Sequence, residues 1–429
     1  MKKVITYGTF DMFHEGHYNI LKRAKEYGDY LIVAVTGEDY DIGRGKLSVR
    51  DSLSTRIENV KNSGFADLVI VEEYLGQKIY DIIKYGIDVF VIGDDWRGKF
   101  DLIADYCELV YLPRTEGISS TQIREETFTK HRIGIIADRC DDNMLVSEAR
   151  RVSGFEVAKV FSEDPETGNA FKEKYEIEES SADWDEFVQD IDIVFVRTEL
   201  KDRYRYVKKA LSDGKHVITD DPCCIERSKE EELLSIAEKN DVILMHNLKV
   251  LHTRVFIQLL WMVKAGLIGD VVRIDCSASK MDAGIKQLFY DLTSSALASV
   301  FNIMGTEYDY IDKKLVKEGD SIEYMSMTVG YPNTEVKINI GNRIRMMNKI
   351  EIVGTEGSIW LGDNWWRADS FELTPVDGDK KVFNMNYEGN GFKFIIKNLA
   401  TMIEDDRREY RLMNKDIDLA VAEVLEGIR

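Results

Sequence analysis

A strand that turns directly into a helix near the start of the chain constrains its fold more than any other feature. Lys3-Val4-Ile5-Thr6-Tyr7 is β-branched and aromatic, as a buried strand requires, and Tyr18-Asn19-Ile20-Leu21-Lys22-Arg23-Ala24-Lys25 carries apolar residues at helical spacing. Between them stands Gly8-Thr9-Phe10-Asp11-Met12-Phe13-His14-Glu15-Gly16-His17. Such a turn aims backbone N–H groups and the positive end of a helix dipole at one point, which favours an anion. His14 and His17, three apart, share a face in a first helical turn, and Gly16 lets a phosphate approach the backbone. The arrangement suits a triphosphate whose α-phosphorus gathers negative charge as one oxygen attacks and another leaves.

Further apolar runs follow at Asp29–Val35, Leu68–Val71, Asp88–Gly93 and Leu109–Leu112, with helical patterns between most of them. Residues 1–127 therefore read as a parallel, doubly wound α/β unit, in which ligands bind beyond the carboxyl ends of the strands. Three stretches fall at those ends: Gly8–His17, Asp94-Asp95-Trp96, and Arg114-Thr115-Glu116-Gly117-Ile118-Ser119-Ser120-Thr121. In the last, Ser119, Ser120 and Thr121 precede Gln122-Ile123-Arg124 and can cap a phosphate-facing helix, while Arg114 offers a planar donor fork.

The first of these stretches resembles the G-T-F-D-x-x-H-x-G-H signature of the cytidylyltransferase branch of the nucleotidyltransferase superfamily, and the third resembles its R-T-x-G-I-S-[ST]-T signature. Gly93–Asp101 and Tyr111–Ser119 narrow the likeness to the bacterial glycerol-3-phosphate cytidylyltransferases, over essentially all of residues 1–127. The resemblance implies that CTP and a phosphorylated small polyol give a CDP-polyol and pyrophosphate, with Mg²⁺, for capsule or cell-wall polymers. It places Thr9, Phe10, His14, His17, Lys46, Arg114, Ser119 and Thr121 around the triphosphate, with Gly8, Gly16, Thr115 and Ser120 in the same turns and Asp94 beside the nucleotide pocket. Catalysis there is positioning and charge stabilisation, with His14, His17, Lys46 and Arg114 as the acting side chains. One departure stands out: where that family reads arginine, aromatic, valine, aspartate, this chain has Gly64-Phe65-Ala66-Asp67. The expected acceptor is a phosphorylated small polyol or related sugar acid, not necessarily glycerol 3-phosphate itself.

A chain of 429 residues needs two or three domains. The second part opens at about His131 and reads as a Rossmann-like sheet over 131–247, from the runs at Arg132–Ile136, Phe155–Val160, Ile191–Val196, Asp213–Ile218 and Val242–Met245. Residues 248–429 are richer in strands, with helices at 286–304 and 391–427, an α+β domain with an open sheet. Ala210–Val217, Ala265–Val271 and Ile350–Ser358 resemble the Gfo/Idh/MocA family of NAD(P)-dependent oxidoreductases. That family's active parts are replaced. Its glycine-rich pyrophosphate turn is Ala137-Asp138-Arg139-Cys140-Asp141-Asp142, and its ribose-binding acidic residue is Ser162. Its E-K-P is Asp220-Asp221-Pro222, and its D-x-G-x-H is Asp291-Leu292-Thr293-Ser294-Ser295. Four replacements at separate functional points imply a fold retained without hydride transfer.

A formal net charge of −20 opposes non-specific binding to nucleic acid or anionic membranes, so a triphosphate site must be a local basic pocket helped by Mg²⁺. No apolar run is long enough to span a bilayer. Five cysteines without metal-ligand spacing suggest a reducing cytoplasm, and adjacent Cys223 and Cys224 read as loop or core thiols. Two functions stay in view. One is a cytidylyltransferase whose second half binds, scaffolds or forms a homodimer or higher homo-oligomer. The other is a two-step enzyme that also reduces a keto or aldehydo sugar phosphate with NAD(P)H.

Overall fold

The computed structural model describes residues 1–37, 49–73, 77–98, 100–113, 131–138, 145–152, 154–280, 287–319, 321–385 and 389–428. They form two compact units that change over between Lys130 and His131 in the sequence.

In the first unit, β1 (Lys3–Gly8), β2 (Tyr30–Thr36), β3 (Leu68–Glu72), β4 (Val89–Gly93) and β5 (Glu108–Leu112) pair in parallel in the order β3-β2-β1-β4-β5. The chain winds outward from β1 through β2 to β3, then returns to lay β4 on the other side of β1. The carboxyl ends of β1 and β4 therefore flank the switch point, where such sheets hold ligands. Helices α1 (Glu15–Lys25) and α2 (Leu53–Asn62) cover one face, packing Leu21, Ala24 and Val60 onto Val4, Val33 and Val91. Helix α3 (Gln77–Tyr85) covers the other, with Ile82 and Ile103 against Ile5, Ile32 and Phe90. Burial on both faces explains why these strands read as continuous apolar runs.

The second unit opens with β6 (His131–Ala137), β7 (Phe155–Phe161), β8 (Glu179–Ser181), β9 (Ile193–Arg197), β10 (His216–Thr219) and β11 (Leu244–His246), parallel and ordered β11-β10-β9-β6-β7-β8. Here β6 and β9 flank the switch point. A mixed sheet follows: β12 (Val271–Lys280), β13 (Tyr310–Glu318), β14 (Ser321–Tyr331), β15 (Thr334–Asn342), β16 (Lys349–Gly354), β17 (Gly357–Leu361), β18 (Ser370–Pro375) and β19 (Lys381–Asn384). Its order is β13-β14-β15-β12-β16-β17-β18-β19. The helix Gln287–Met304 packs Leu297 and Phe301 into its core with Ile274, Met327, Ile338 and Ile352. This is the expected mixed α/β class of two parallel Rossmann-like sheets and a further open sheet.

The helical stretch expected over 391–427 is two helices, Phe392–Glu404 and Lys415–Glu426. The first stops where Asp406 turns left-handed at φ 55° and the Arg407 N–H closes back on the Met402 carbonyl at 2.8 Å. Asn414 then caps the second by accepting the Ile417 N–H at 3.1 Å.

Candidate functional site

At the end of β1, a Cβ on Gly8 would lie 2.9 Å from Cζ of Phe10, so glycine is what lets that ring fold back on the strand. Phe10 and Met12 both sit in the left-handed region, at φ 54° and 49°, which L-residues adopt only when their surroundings hold them there. The holding contacts are specific. Buried Asp11 accepts the N–H groups of Arg50 and Asp51 on Oδ1, both at 2.9 Å, and Asp51 Oδ2 accepts the Met12 N–H at 2.9 Å. Fully buried Arg56 donates from Nη1 to the carbonyls of Thr9 (2.9 Å) and Thr36 (2.7 Å), and from Nε to that of Asp51 (3.0 Å). One guanidinium thus ties the ends of β1 and β2 to α2.

His14 is the N-cap of α1, and its Nδ1 accepts the Gly16 N–H at 3.0 Å. His17 is the third helical residue, and its Nδ1 accepts the His14 N–H at 3.4 Å. The two form a reciprocal capping box made of imidazoles. A ring nitrogen that accepts an N–H carries no proton, so each neutral ring bears its proton on Nε2. The rings stack with centroids 3.9 Å apart, and Phe10 and Phe13 pack on His17 at 5.5 and 5.6 Å. Across the switch point, Asp94 opens the 3₁₀ turn Asp94–Trp96 directly after β4. The pairing Thr6↔Val91 carries Gly8 and Gly93 to the same end of the sheet.

The structure thus puts Gly8, Thr9, Phe10, His14, Gly16, His17 and Asp94 after the carboxyl ends of the neighbouring strands β1 and β4. Lys46, Arg114, Thr115, Ser119, Ser120 and Thr121 lie outside the described residues. Gly64 follows the end of α2 at φ 77°, and its N–H closes on the Lys61 carbonyl at 3.1 Å. It is the helix-terminating residue, where an arginine would meet backbone strain, and it stands before the amino end of β3, at the opposite end of the sheet from the switch point, so the structure does not place it in an acceptor pocket.

Two groups escaped the reading of the sequence. Arg56 is one, although an arginine on the same helix face as Leu53, Ile57 and Val60 is a signal in itself. The other is a buried polar network on the α3 side of the sheet. Tyr7 donates to Asp81 Oδ2 at 2.9 Å, Gln77 donates to Asp81 at 3.1 Å and to the Val71 carbonyl at 2.7 Å, and Lys78 is ion-paired with Glu72. The Lys78 ammonium lies 4.5 Å from the centre of the Tyr7 ring. Burial first, then the Asp81 charge, pushes the Tyr7 hydroxyl far above its usual range, so it stays protonated.

In the second unit, a cavity of about 620 Å³ is lined by Arg197, Lys249, Lys280, Asp221, Asp291 and Ser295, among others. Asp221, at the position of the lost lysine, holds His246 Nδ1 at 2.7 Å, and Ser295 donates to the Asp291 carbonyl at 2.9 Å. Burial pushes the Asp291 carboxyl up to about 8, with Arg203 opposing and Asp220 and Asp221 reinforcing the shift. Asp138, directly after β6, accepts the Glu199 N–H at 2.8 Å. Buried Ser162, after β7, accepts the Asp164 N–H at 3.3 Å. Residues 139–144 lie outside the described residues.

A parallel sheet whose switch point carries a histidine-capped helix N-terminus beside a carboxylate defines a nucleotide-handling α/β domain. The profile of the cytidylyltransferase-like family matches residues 5–126, and the chain belongs to that family of nucleotidyltransferases. It is 52% identical to glycerol-3-phosphate cytidylyltransferase of Bacillus subtilis (strain 168) over 126 residues, which are 29% of this chain and 97% of that protein. The enzyme of the same name from Staphylococcus aureus (strain NCTC 8325 / PS 47) is 48% identical over 130 residues, 30% of this chain and 98% of its own. The profile described as oxidoreductase family, NAD-binding Rossmann fold, matches residues 134–248. The second unit shares the fold of a 3-ketoreductase from Actinomadura kijaniata, solved with NADP and TDP-benzene, at TM-score 0.62 and 18% identity over 69% of this chain and 96% of that one. Among the described residues no helix is long and apolar enough to cross a membrane.

Proposed function

We propose that the first unit transfers CMP from CTP to a phosphorylated small polyol, releasing pyrophosphate. The observation that carries this reading is the double-histidine cap of α1 at the switch point, in a unit with 52% identity to a glycerol-3-phosphate cytidylyltransferase. An acceptor phosphate oxygen bonds to the α-phosphorus of CTP as the bond to the bridging oxygen of pyrophosphate breaks. The Nε2–H groups of His14 and His17, with the N-terminus of α1, donate to the oxygens on which charge accumulates. The braced Phe10–Met12 turn sets those donors in advance, so little reorganisation accompanies the reaction. Lys46, Arg114, Thr115, Ser119, Ser120 and Thr121 complete the triphosphate pocket in this proposal. Asp94, half-buried at the end of β4, fits Mg²⁺, a hard cation that takes most of its oxygens from phosphates and water; bound there, it would neutralise triphosphate charge. Since Asp11 serves two backbone N–H groups with one oxygen, its role is to brace the turn.

The acceptor in this proposal is a phosphorylated small polyol or related sugar acid; Gly64 precedes β3 at the amino end of the sheet, away from the switch point, and does not select it. The reaction belongs to capsule or cell-wall polymer synthesis and takes place in the cytoplasm. The second unit, on this reading, performs no hydride transfer. Asp138 places a carboxylate where a pyrophosphate must approach, and Asp221 and Ser295 do not replace lysine and histidine in kind. Its role is to pair chains into a homodimer or higher oligomer through the open sheet, whose outer row includes Asp275, Lys337, Glu351 and Trp360. The two-step reading is favoured by one observation: Asp291 lines a cavity together with Lys249 and Lys280, and burial raises its carboxyl above the usual carboxylate range. Isothermal calorimetry with NAD(H) and NADP(H) separates the two. Micromolar affinity selects the two-step enzyme.

A further inference from the structure

The second unit buries a cluster of titratable side chains beside its cavity. Its members come from four places: Asp221, Cys223 and Cys224 after β10, Glu230 on the helix Arg227–Lys239, His246 at the end of β11, and Asp418 on the helix Lys415–Glu426. The side chains of His246, Asp221, Glu230 and Asp418 are no more than 4% exposed, and Cys223 is wholly buried. His246 Nε2 lies 3.4 Å from Glu230 Oε1 and 3.5 Å from Asp418 Oδ1, yet none of these three atoms makes a hydrogen bond. Three carboxylates and one imidazole share a space that no lysine or arginine among the described residues neutralises through an ion pair. Burying such a set uncompensated is costly.

We propose that this cluster is a divalent-metal site of the zinc class, with Cys223, Glu230, His246 and Asp418 as ligands. Cys223, Glu230 and His246 already place donor atoms within 4.8 Å of one another. The spacing fits: bonds of about 2.0–2.1 Å from a tetrahedral ion to nitrogen and oxygen put neighbouring donors about 3.3–3.4 Å apart. Glu230 reaches both sides, Oε1 toward His246 and Oε2 toward Cys223 Sγ at 2.9 Å. The mix of imidazole, thiolate and carboxylate suits Zn²⁺ better than Mg²⁺ or Ca²⁺. Asp221, 2.7 Å from His246 Nδ1, is the outer partner that turns Nε2 toward the metal. No ligand position faces open solvent, so the ion is structural. It would clamp the C-terminal helix onto the ends of β10 and β11, while Asp221 also lines the neighbouring cavity.

The test uses the full chain, purified without chelator and without a polyhistidine tag, then loaded with Zn²⁺ or Co²⁺ and dialysed. Elemental analysis is expected to find one ion per chain, retained in the double variant His14→Ala/His17→Ala and lost in His246→Gln and Glu230→Gln. The Co²⁺ form is expected to show a thiolate-to-cobalt charge-transfer band that Cys223→Ser removes and Cys107→Ser keeps. The Cys223→Ser spectrum decides the matter if His246→Gln does not fold. A wild-type chain that retains no metal overturns the proposal. So does metal that survives both His246→Gln and Glu230→Gln, or that depends on His14 and His17 instead.

Discussion

The two units share a sheet architecture but hold their polar residues in different ways. In the first, a contiguous turn brings Gly8, Phe10, His14 and His17 together, and the backbone of α1 does part of the work. The second keeps a parallel sheet, a switch point and a cavity, yet Asp138, Asp221 and Ser295 stand where the resemblance to the oxidoreductase family implies a glycine turn, a lysine and a histidine. Its buried polar cluster is instead assembled from residues as far apart as Asp221 and Asp418. Fold alone therefore says little about chemistry, whereas a turn whose conformation and charge both point at a phosphate says a good deal.

The most severe way to break this contrast is His17→Ala. Removing one charge-stabilising donor costs about 10²–10³ in kcat. The lost return hydrogen bond from the His14 N–H costs only about 1 kcal/mol of stability. Pyrophosphate release near the wild-type rate, with an unchanged melting temperature, would remove His17 from the site.

Arg56→Met tests whether the strained turn depends on its brace. The carbonyls of Thr9 and Thr36 would lose their buried donor, for a destabilisation of roughly 1–3 kcal/mol per unsatisfied group. Urea unfolding measures this, and the KM for CTP should rise with it. A variant as stable and as active as the wild type would show that the turn holds itself.

How far the sequence carried follows the same division. The five strands of the first unit and the histidine pair in the first turn of α1 were legible because buried parallel strands are continuous apolar runs and the motif residues are neighbours; that the two imidazoles cap the helix reciprocally was not. Arg56 was not, since a charged residue in an amphipathic helix ordinarily faces water. The break between the two C-terminal helices was hidden because Asp405–Asn414 carries no proline or glycine, and a left-handed Asp406 does the work instead. Cys223 and Cys224 read as core thiols because nothing in their spacing pointed to Glu230, His246 or Asp418.

Nucleotide preference sharpens the assignment of the first unit. Its likeness to cytidylyltransferases extends through Gly93–Asp101, so kcat/KM is expected to favour CTP over ATP. The reverse preference would move the unit to the adenylyl branch.

The second unit is expected to show a pH slope of its own. Burial, above all, pushes the His216 imidazole down to about 4, and its Nδ1 accepts the Ile243 N–H at 3.0 Å. A depressed folded value means that the stabilisation is complete above the unfolded value of about 6.5 and is lost as pH falls toward 4. Thermal melts between pH 7 and pH 4 should show this slope in the wild type and a flatter one in His216→Gln. Equal slopes would show that His216 is protonated without cost.

The central claim is that one unit of this chain transfers a cytidylyl group while the other performs no redox step. Its most direct test is pyrophosphate release from CTP by the full chain across a panel of polyol and sugar phosphates, with and without NADH or NADPH. Acceptor-dependent, Mg²⁺-dependent release is expected, unchanged by the reduced cofactors and with no oxidation of either. No turnover of CTP with any acceptor would contradict the first half of the claim, and consumption of NADH or NADPH coupled to product formation would contradict the second.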